Sequence, residues 1–332
     1  MNASYSNADI TVSADNIAGD CAGKKTISLI FIVACHNRRA QTTACLESIE
    51  REASRAGVRW RLVAFDDGSS DGTFEALTNF GDSVTVLYGD GSNFWARSMA
   101  TAERHALRDV SDSPDDVLVW INDDCELLDG CLDQIVTLLR ERNDGILVGA
   151  MVSSDRRTTS YSGLVSKGLH PLKFALVSPN GNLQEVDTFN GNLVFVHKRT
   201  ALRLGGIDGG FSHALADFDY GLRAKEHGIP IMLLPQFMGI CDRDHIYTSS
   251  TDSVWAEWRK HIAVKGGGEP KSLRRALSRH SPGTWILFWV GSYTAWWARA
   301  VSRSGRLFAQ RAFKFFAVRG KGAIQNRDRN VR

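Results

Sequence analysis

ISLIFIVACHNRR, residues 27–39, is the stretch that decides the fold. Its first eight residues are apolar apart from Ser28 and rich in β-branched side chains, a pattern typical of a strand buried on both faces. Polar residues 36–39 end this strand. Apolar side chains then recur at Cys45, Leu46, Ile49 and Ala53, and this spacing predicts a helix over residues 41–56. A strand that leads directly into a helix begins a βαβ unit.

The alternation of strand and helix continues along the chain. Further strands are predicted at residues 60–65, 84–87, 117–121 and 146–151, and further helices at 94–108 and 131–142. Residues 153–186 are polar and glycine-rich, so we expect hairpins and a flexible loop there. Predicted elements resume with a strand at 193–196, helices at 200–204 and 217–227, and a strand at 229–234 that Pro235 closes. Such alternation predicts an α/β fold in which helices flank a mostly parallel sheet.

Carboxylate side chains cluster at the ends of two predicted strands and at the start of one predicted helix. The clusters are Asp66-Asp67, Asn122-Asp123-Asp124 and Asp217-Phe218-Asp219. Each cluster alone also suits a turn or a helix cap. Open α/β sheets, however, bind ligands at the carboxyl ends of their strands, and hard cations prefer oxygen ligands. Three clusters in these positions therefore favour a site for a cation and a polar ligand.

Several segments together resemble glycosyl transferase family 2, which has the GT-A fold. They are ISLIFIVACHNR (27–38), AFDDGSSDGT (64–73), VLVWINDDCELLDGCL (117–132), FNGNLVFV (189–196) and GGIDGGFSHALADFDYGLRAKEHG (205–228). The segments occur in the family's order over about residues 27–243, and they are most similar to the bacterial rhamnosyltransferase-like branch. The resemblance implies an inverting hexosyltransferase of bacterial surface polysaccharide assembly. Its donor would be a dTDP- or UDP-linked sugar, and its acceptor a hydroxyl of a glycan or of a lipid-linked glycan.

The resemblance also implies a donor site and a metal site. The residues that it assigns to the nucleotide sugar are Ala34, His36, Asp66, Asp67, Asp123, Asn190 and Gly191, together with Arg97, which either contacts the diphosphate or is a solvated arginine on a helix face. The family's D-x-D position reads N-D-D here, which implies Asp124 and Asp123 as ligands of Mg²⁺ or Mn²⁺. Asn122 departs from the family, because a neutral amide replaces the usual first carboxylate. His245 is either a further metal ligand, as in some GT-A enzymes, or a surface histidine.

The pair Asp217 and Asp219 matches the family's catalytic stretch, in which the resemblance implies Asp217 as the base and leaves Asp219 as the alternative. Ala216 stands where the family carries a preceding acid. In the implied reaction the acceptor hydroxyl attacks the anomeric carbon opposite the leaving diphosphate, and one carboxylate takes its proton. A retaining glycosidase would instead need two opposed carboxylates about 5 Å apart.

The charge of the chain is divided unevenly. Residues 255–332 hold 17 lysines and arginines against three acidic residues, although the whole chain has a net charge of only +3. We expect a flexible leader (1–26), a GT-A domain (27–254) and a basic, tryptophan-rich helical extension (255–332). The uncharged residues 281–298 predict one of two contacts. They form either an amphipathic segment on an anionic membrane or a helix packed on the catalytic domain or on a second subunit, which would make a homo-oligomer.

Cysteine usage and the polar start of the chain indicate the compartment. The six cysteines form no C-x-x-C pair, and residues 1–26 lack the pattern of a signal peptide. We therefore expect a cytoplasmic protein, either free or peripheral on the inner face of the membrane. Two other functions stay open: a nucleotidyltransferase, which would usually carry a glycine-rich loop where residues 36–39 stand, and a catalytically inactive GT-A-like binding subunit. No nucleic-acid-binding module accompanies the basic extension, so we expect no nucleic acid partner.

Overall fold

The structure is a computed structural model that describes residues 27–108, 113, 115–142, 144–243 and 253–303. It confirms the predicted α/β class. The strands are β1 (Ser28–Cys35), β2 (Arg59–Asp66), β3 (Val84–Tyr88), β4 (Val117–Ile121), β5 (Glu126–Leu127), β6 (Ile146–Val152), β7 (Thr159–Tyr161), β8 (Gly163–Ser166), β9 (Phe174–Leu176), β10 (Gln184–Glu185), β11 (Thr188–Phe189), β12 (Leu193–His197) and β13 (Ile231–Ile240). The helices are α1 (Arg39–Arg55), α2 (Thr73–Thr78), α3 (Phe94–Arg108), α4 (Cys131–Glu141), α5 (Lys198–Leu204), α6 (Ala216–Glu226), α7 (Val254–Ile262) and α8 (Pro270–His280), and residues 285–303 are also helical.

One large sheet brings distant parts of the chain to a common edge. Its strand order is β10-β13-β6-β12-β4-β1-β2-β3. Strands β4, β1, β2 and β3 are parallel, β13 is parallel to β6, and β12 is antiparallel to both β4 and β6. The carboxyl ends of β1, β2, β4, β6 and β13 therefore lie at the same edge as the amino end of β12. Loops that are separated by up to 200 residues can meet there.

The two faces of this sheet bury two apolar cores. Alternate residues of β1 point to opposite faces, so that Phe31 belongs to one core and Ile32 to the other. Helices α1 and α4 cover the first face, and α3, α5 and α6 cover the second. Trp120 of β4 is fully buried in the second core, where its ring lies 4.7 Å from that of Tyr220 and 5.8 Å from that of Phe189. Burial on both faces explains the continuous apolar runs of β1 and β4.

Two regions differ from the sequence-based expectation or refine it. The strand predicted to end before Pro235 continues to Ile240, and its pairing with β6 shifts register between Leu233 and Phe237. Proline lacks an N–H group, and this irregularity lets the strand accommodate it. The region expected to form hairpins supplies β8 and β9. These strands form a second sheet together with β11, in the order β11-β8-β9.

The described part of the predicted extension contacts the rest of the protein. Helix α8 buries Leu273, Ala276 and Leu277, and Ala276 joins the second core. The helical residues 285–303 pack on α7, where the ring of Trp258 lies 5.0 Å from Trp296 and 5.3 Å from Trp297. Among the described helices, none has the length and apolar character needed to cross a bilayer. The five cysteines in the described ranges are all free thiols.

Candidate active site

A cavity of about 650 Å³ opens at the edge where the strand ends meet. The connections that line it follow β1, β2 and β4, precede β12 and lead into α6. Among its lining residues are eight of those predicted from the sequence: Ala34, His36, Asp67, Asp123, Asp124, Asn190, Gly191 and Asp217. Arg97 is exposed on α3 and Asp66 is buried beside the cavity, and neither of them lines it. His245 lies outside the described residues.

Asp67 organises the side of the cavity formed by β1 and β2. One carboxylate oxygen accepts hydrogen bonds from the backbone N–H of Gly91 (3.0 Å) and the amide of Asn93 (2.9 Å). The other accepts from the backbone N–H groups of Asn93 and Phe94, both at 2.9 Å. A carboxylate has about four acceptor positions, so these bonds use them all. A nucleobase N–H would thus compete with the bonds that hold the start of α3.

The backbone around Asp67 is held in a defined shape. Phe94 has a φ of 54°, a left-handed conformation that is uncommon for a bulky residue and that its bond to Asp67 helps to hold. The ring nitrogen Nδ1 of His36 lies 2.7 Å from the backbone oxygen of Asp67. Asp66 has a local role, because its carboxylate accepts from the backbone N–H of Ser69 at 2.9 Å. Hydrogen bonds among the protein's own groups therefore define the shape of this side of the cavity.

Asp123 and Asp124 converge on a single cationic atom. The guanidinium nitrogen NH1 of Arg38 lies 3.1 Å from Oδ1 of Asp123 and 2.8 Å from Oδ2 of Asp124. Burial raises the pKa of Asp123 to about 7, although the charge of Arg38 opposes this rise. The arrangement fits a divalent cation, because two carboxylates already share one positive partner and supply the oxygen ligands that Mg²⁺ and Mn²⁺ prefer. Arg38 would have to move aside to admit the ion.

Sequence reasoning did not find Cys241 at this centre. Its thiol donates to Oδ1 of Asp124 at 3.4 Å, and ligand atoms of Asp124, Cys125 and Cys241 lie within 4.8 Å of one another. The amide of Asn192 contacts Cys241 Sγ at 3.5 Å. Cys241 directly follows β13, which is predicted from the sequence to end before Pro235. Continuation of the strand to Ile240 brings Cys241 to the shared sheet edge.

Asn122 makes a side-chain contact with α3. Its side-chain oxygen accepts a hydrogen bond from the indole N–H of Trp95 at 2.8 Å. Trp95 in turn packs against Gly191, where an added Cβ would lie 2.8 Å from the indole ring. Asn122 thus fixes the position of an aromatic wall of the cavity. The Trp95 partner was also missed, since nothing in the local sequence links α3 to the end of β4.

Asp217 lies in the first turn of α6 and faces the cavity. One of its oxygens accepts from the backbone N–H of Gly191 at 3.0 Å, and the other accepts from its neighbour Phe218 at 2.9 Å. Burial raises the pKa of Asp217 to about 6, and the two N–H groups oppose the rise. Leu215, just before the helix, has a φ of 75°, which is a strained conformation for this residue. Each oxygen of Asp217 keeps an acceptor position for a further donor.

Asp219 points away from the cavity and binds α8. Its buried carboxylate accepts from Arg223 (2.8 Å), Arg279 (2.6 Å) and His280 (3.0 Å). Burial acts to raise the pKa of Asp219, but the bonds to His280, Arg223 and Arg279 outweigh it and hold the pKa below its usual value. The structure therefore separates the two acids of the predicted catalytic stretch into different environments.

Comparison with known proteins supports the family that the motifs indicated. The model of the family described as Glycosyl transferase family 2 matches residues 30–201, just over half of the chain. A comparison with curated proteins gave no match. Similar solved structures include TarS of S. aureus, with 12% identity over 76% of this chain and 39% of that chain and a TM-score of 0.52.

Two further structures have a similar fold. The mannosyltransferase PcManGT of Pyrobaculum calidifontis, solved with GDP-Man and Mn²⁺, is 15% identical over 87% of this chain and 80% of that chain, with a TM-score of 0.50. GalNAc-T7, solved with UDP, GalNAc and Mn²⁺, is 12% identical over 64% of this chain and 43% of that chain, with a TM-score of 0.49. The chain spans less than half the length of GalNAc-T7 and of TarS. At these identities the likeness concerns the fold.

Proposed function

The chain belongs to glycosyl transferase family 2, and we propose that it transfers a sugar from a nucleotide diphosphate sugar to a hydroxyl group of a glycan or of a lipid-linked glycan. The observation that carries this proposal is the convergence of Asp67, Asp123, Asp124 and Asp217 on one cavity. The four residues come from three segments that are distant from one another in the sequence. If these residues served only in turns or helix caps, nothing would require them to line the same cavity.

In this proposal the nucleoside of the donor lies on the side formed by Ala34, His36 and Asp67. The diphosphate then reaches toward the end of β4, where Asp123 and Asp124 would hold Mg²⁺ or Mn²⁺. PcManGT, which has a similar fold, was solved with Mn²⁺, and this favours a divalent cation here. When bound, such an ion supplies positive charge to the leaving diphosphate. Arg38 already lies against both carboxylates and can contact phosphate oxygens when it moves aside.

Asp217 is the base of the proposed reaction. The acceptor oxygen forms a bond to the anomeric carbon while the bond from that carbon to the diphosphate breaks. The proton of the acceptor hydroxyl passes to a free acceptor position on the Asp217 carboxylate, and the nucleoside diphosphate leaves. One such displacement inverts the anomeric centre. The N–H groups of Gly191 and Phe218 hold the carboxylate in place for this transfer.

Replacement of the base tests the proposal. The variant Asp217→Asn keeps the size of the side chain but cannot take a proton, so transfer should fall by about 10²–10⁴-fold. The measurement is release of nucleoside diphosphate from a panel of dTDP-, UDP- and GDP-linked sugars, with glycan and lipid-linked acceptors. Nucleotide binding by this variant, measured by thermal shift, should be retained. The matched control is Asp133→Asn, which changes a half-exposed acid on α4 far from the cavity.

A parallel assay with nucleoside triphosphates and sugar phosphates, read together with nucleotide binding, separates the other two functions. A nucleotidyltransferase would release pyrophosphate from a nucleoside triphosphate and a sugar phosphate. A catalytically inactive binding subunit would bind nucleotide and release neither product. Unchanged turnover of Asp217→Asn would contradict the assignment of the base.

The finer parts of the proposal concern the biological setting. Similarity to the rhamnosyltransferase-like branch suggests a deoxyhexose linked to dTDP as one donor to include in the panel. A role in bacterial surface polysaccharide assembly would place the acceptor at the inner face of the cytoplasmic membrane. The basic extension would then contact that membrane peripherally, or would join two subunits.

A further inference from the structure

We infer that Lys265 binds a phosphate group of the acceptor, and this inference rests on the function proposed above. Lys265 begins the loop Lys-Gly-Gly-Gly (residues 265–268) between α7 and α8. Lys265 and Gly267 both line the cavity that contains Asp217. The loop belongs to the predicted extension, outside the segments that resemble the family. It therefore adds a group to the cavity that the family motifs do not account for.

The glycines of this loop have two different roles. A Cβ on Gly266 would lie 2.1 Å from the backbone oxygen of His261, and a Cβ on Gly268 would lie 2.1 Å from the ring of the same histidine. Gly266 leaves no room for a side chain because the loop folds tightly onto the backbone of the last turn of α7, whereas at Gly268 a side chain would have to displace the ring of His261. A Cβ on Gly267 would meet nothing within 4 Å, since this residue faces open space at the cavity. The fold thus presents the loop to the cavity without filling it.

Hydrogen bonds from three directions hold the loop in position. The hydroxyl of Tyr293 donates to the backbone oxygen of Gly268 at 3.0 Å, and the indole of Trp289 donates to that of Pro270 at 3.3 Å. The carboxylate of Glu269 accepts from Ser212 Oγ at 3.1 Å. Ser212 precedes the segment that leads to Asp217. The loop and the base are therefore parts of one connected structure.

The charges in the cavity give Lys265 a specific role. Arg38 is already bonded to Asp123 and Asp124, whereas Lys265 makes no hydrogen bond or ion pair with any residue that the structure describes. An ammonium group at the wall of a site for phosphorylated substrates is suited to bind a phosphate oxygen. Two phosphates could meet it: the donor diphosphate or a phosphate on the acceptor.

Position in the fold favours the acceptor. The proposed nucleoside side lies at the ends of β1 and β2, and the proposed metal lies at the end of β4. The loop of Lys265 is tied to the segment before α6 and shares the cavity wall with Leu172, which precedes β9. The α6 side is the side of the base, from which the acceptor hydroxyl must approach. The apolar residues Leu215 and Phe218, which flank Asp217, line the cavity and would adjoin an apolar chain attached to that phosphate. The class that fits is a lipid-linked acceptor with a phosphate or diphosphate.

The experiment compares binding of two probes by the full chain. Farnesyl diphosphate represents a lipid diphosphate, with farnesol as its uncharged counterpart, and UDP and dTDP with Mn²⁺ represent the donor. The variant Lys265→Met should weaken farnesyl diphosphate binding by about tenfold, the value of one charge-assisted hydrogen bond, and should leave nucleotide binding unchanged. Lys265→Arg should restore most of the lost affinity. Lys271→Met, which removes an exposed lysine of α8 outside the cavity, is the matched control.

Each outcome decides the inference. Weaker nucleotide binding by Lys265→Met would assign the lysine to the donor and overturn it, and unchanged binding of both probes would overturn it as well. Equal loss of farnesol binding would show that the effect is apolar and would also overturn it. Failure of the proposed function is seen separately, since the wild-type chain would then release no nucleoside diphosphate in the transfer assay.

Discussion

At the scale of single residues, two features of its surroundings shift the pKa of Asp217 in opposite directions. Burial favours its protonated form and raises its pKa to about 6, while the N–H groups of Gly191 and Phe218 favour the carboxylate. A base of this pKa is mostly ionised at pH 7 and is a stronger proton acceptor than an ordinary aspartate. This balance suits a group that must accept a proton from a hydroxyl.

The raised pKa predicts how transfer depends on pH. Activity requires the deprotonated form, so kcat/KM should rise tenfold per pH unit below about pH 6 and level off above pH 7. The other ionisable groups that line the cavity are Cys35, His36, Arg38, Asp67, Asp123, Asp124, Tyr161, His213 and Lys265. Asp123, whose pKa is also raised, would titrate differently when a metal ion binds it. The profile is therefore measured at two Mn²⁺ concentrations and in the variants His36→Gln and His213→Gln, and a limb near pH 6 that stays fixed in all of them belongs to Asp217. A flat profile from pH 5 to 7 would contradict the prediction.

Residue types could be predicted from the sequence more fully than residue contacts. Asp67, Asp124 and Asp217 were found because each directly follows or precedes an element with a clear hydrophobic pattern. The bond from Trp95 to Asn122 could not be found, since it joins two segments whose distance apart is set by the packing of α3 on β1 and β2. The same holds for Cys241 and Asp124, which are 117 positions apart.

At the scale of elements, α6 separates its two acids by helical geometry. Asp217 and Asp219 are two positions apart, so on a helix they point about 200° apart around the axis. One consequently faces the cavity and the other faces α8, where it meets Arg279 and His280. Sequence alone could place both acids on a helix, but it left the choice between them open. The packing of α8 is the information that was missing.

This separation predicts that substitution of Asp219 lowers stability, whereas substitution of Asp217 lowers transfer activity. Asp219→Asn removes a buried charge that has three cationic partners, so the free energy of unfolding should fall by about 3 kcal/mol. Asp217→Asn should lower transfer by about 10²–10⁴-fold and leave stability close to that of the wild type. Urea unfolding at pH 7 measures the first effect, and nucleoside diphosphate release per folded molecule measures the second.

Lys225→Met is the control for this pair of variants. It breaks a surface ion pair with Asp187, which should contribute only about 0–1 kcal/mol. If Asp219→Asn folded as stably as the wild type but lost transfer, the catalytic role would belong to Asp219 instead.

The elements that were predicted best are those that form the parallel part of the sheet. Strands β1, β2, β4 and β6 are buried on both faces, and such strands give continuous apolar runs that can be read locally. The short strands β8, β9 and β11 depend instead on pairing with distant segments, and their apolar runs of one to three residues are too short to indicate a strand by themselves. Strand β13 was cut short at Pro235 because the register shift that accommodates the proline is a property of the pairing.

At the scale of the whole molecule, the division of charge follows the architecture. The excess of basic residues in positions 255–332 is partly used inside the protein, because Arg275 and Arg279 of α8 form ion pairs with Asp208 and Arg279 also pairs with Asp219. The boundary expected at residue 255 stays a prediction, but α8 buries apolar residues against the GT-A core. The basic residues farther along the chain do not share these partners within the described part.

The helical residues 285–303 explain how the extension could meet a membrane. Trp296 and Trp297 contact Trp258, so these indoles serve internal packing. Several aliphatic side chains of this helix stay exposed: Ile286, Leu287, Val290 and Val301 are 59%, 70%, 47% and 64% exposed. Exposed apolar side chains beside a strongly basic segment favour the surface of an anionic bilayer over a purely aqueous setting. We therefore propose that the surface formed by Ile286, Leu287 and Val290 contacts a membrane.

The proposed membrane contact predicts that vesicle binding depends on anionic lipid and on the side chain of Leu287. The full chain should sediment with vesicles of phosphatidylcholine and phosphatidylglycerol, and much less with phosphatidylcholine alone, and salt at about 0.5 M should weaken the binding. Leu287→Glu should lower the affinity by about tenfold, because it removes one buried leucine from the lipid contact. Leu202→Glu, at a side chain that is 55% exposed on α5, should bind like the wild type.

If Leu287→Glu left vesicle binding unchanged but converted a dimer to a monomer in light scattering, the surface would belong to a second copy of the chain. Since a lipid-linked acceptor would arrive along the same surface, loss of vesicle binding should also raise the KM for that acceptor while leaving nucleotide affinity unchanged.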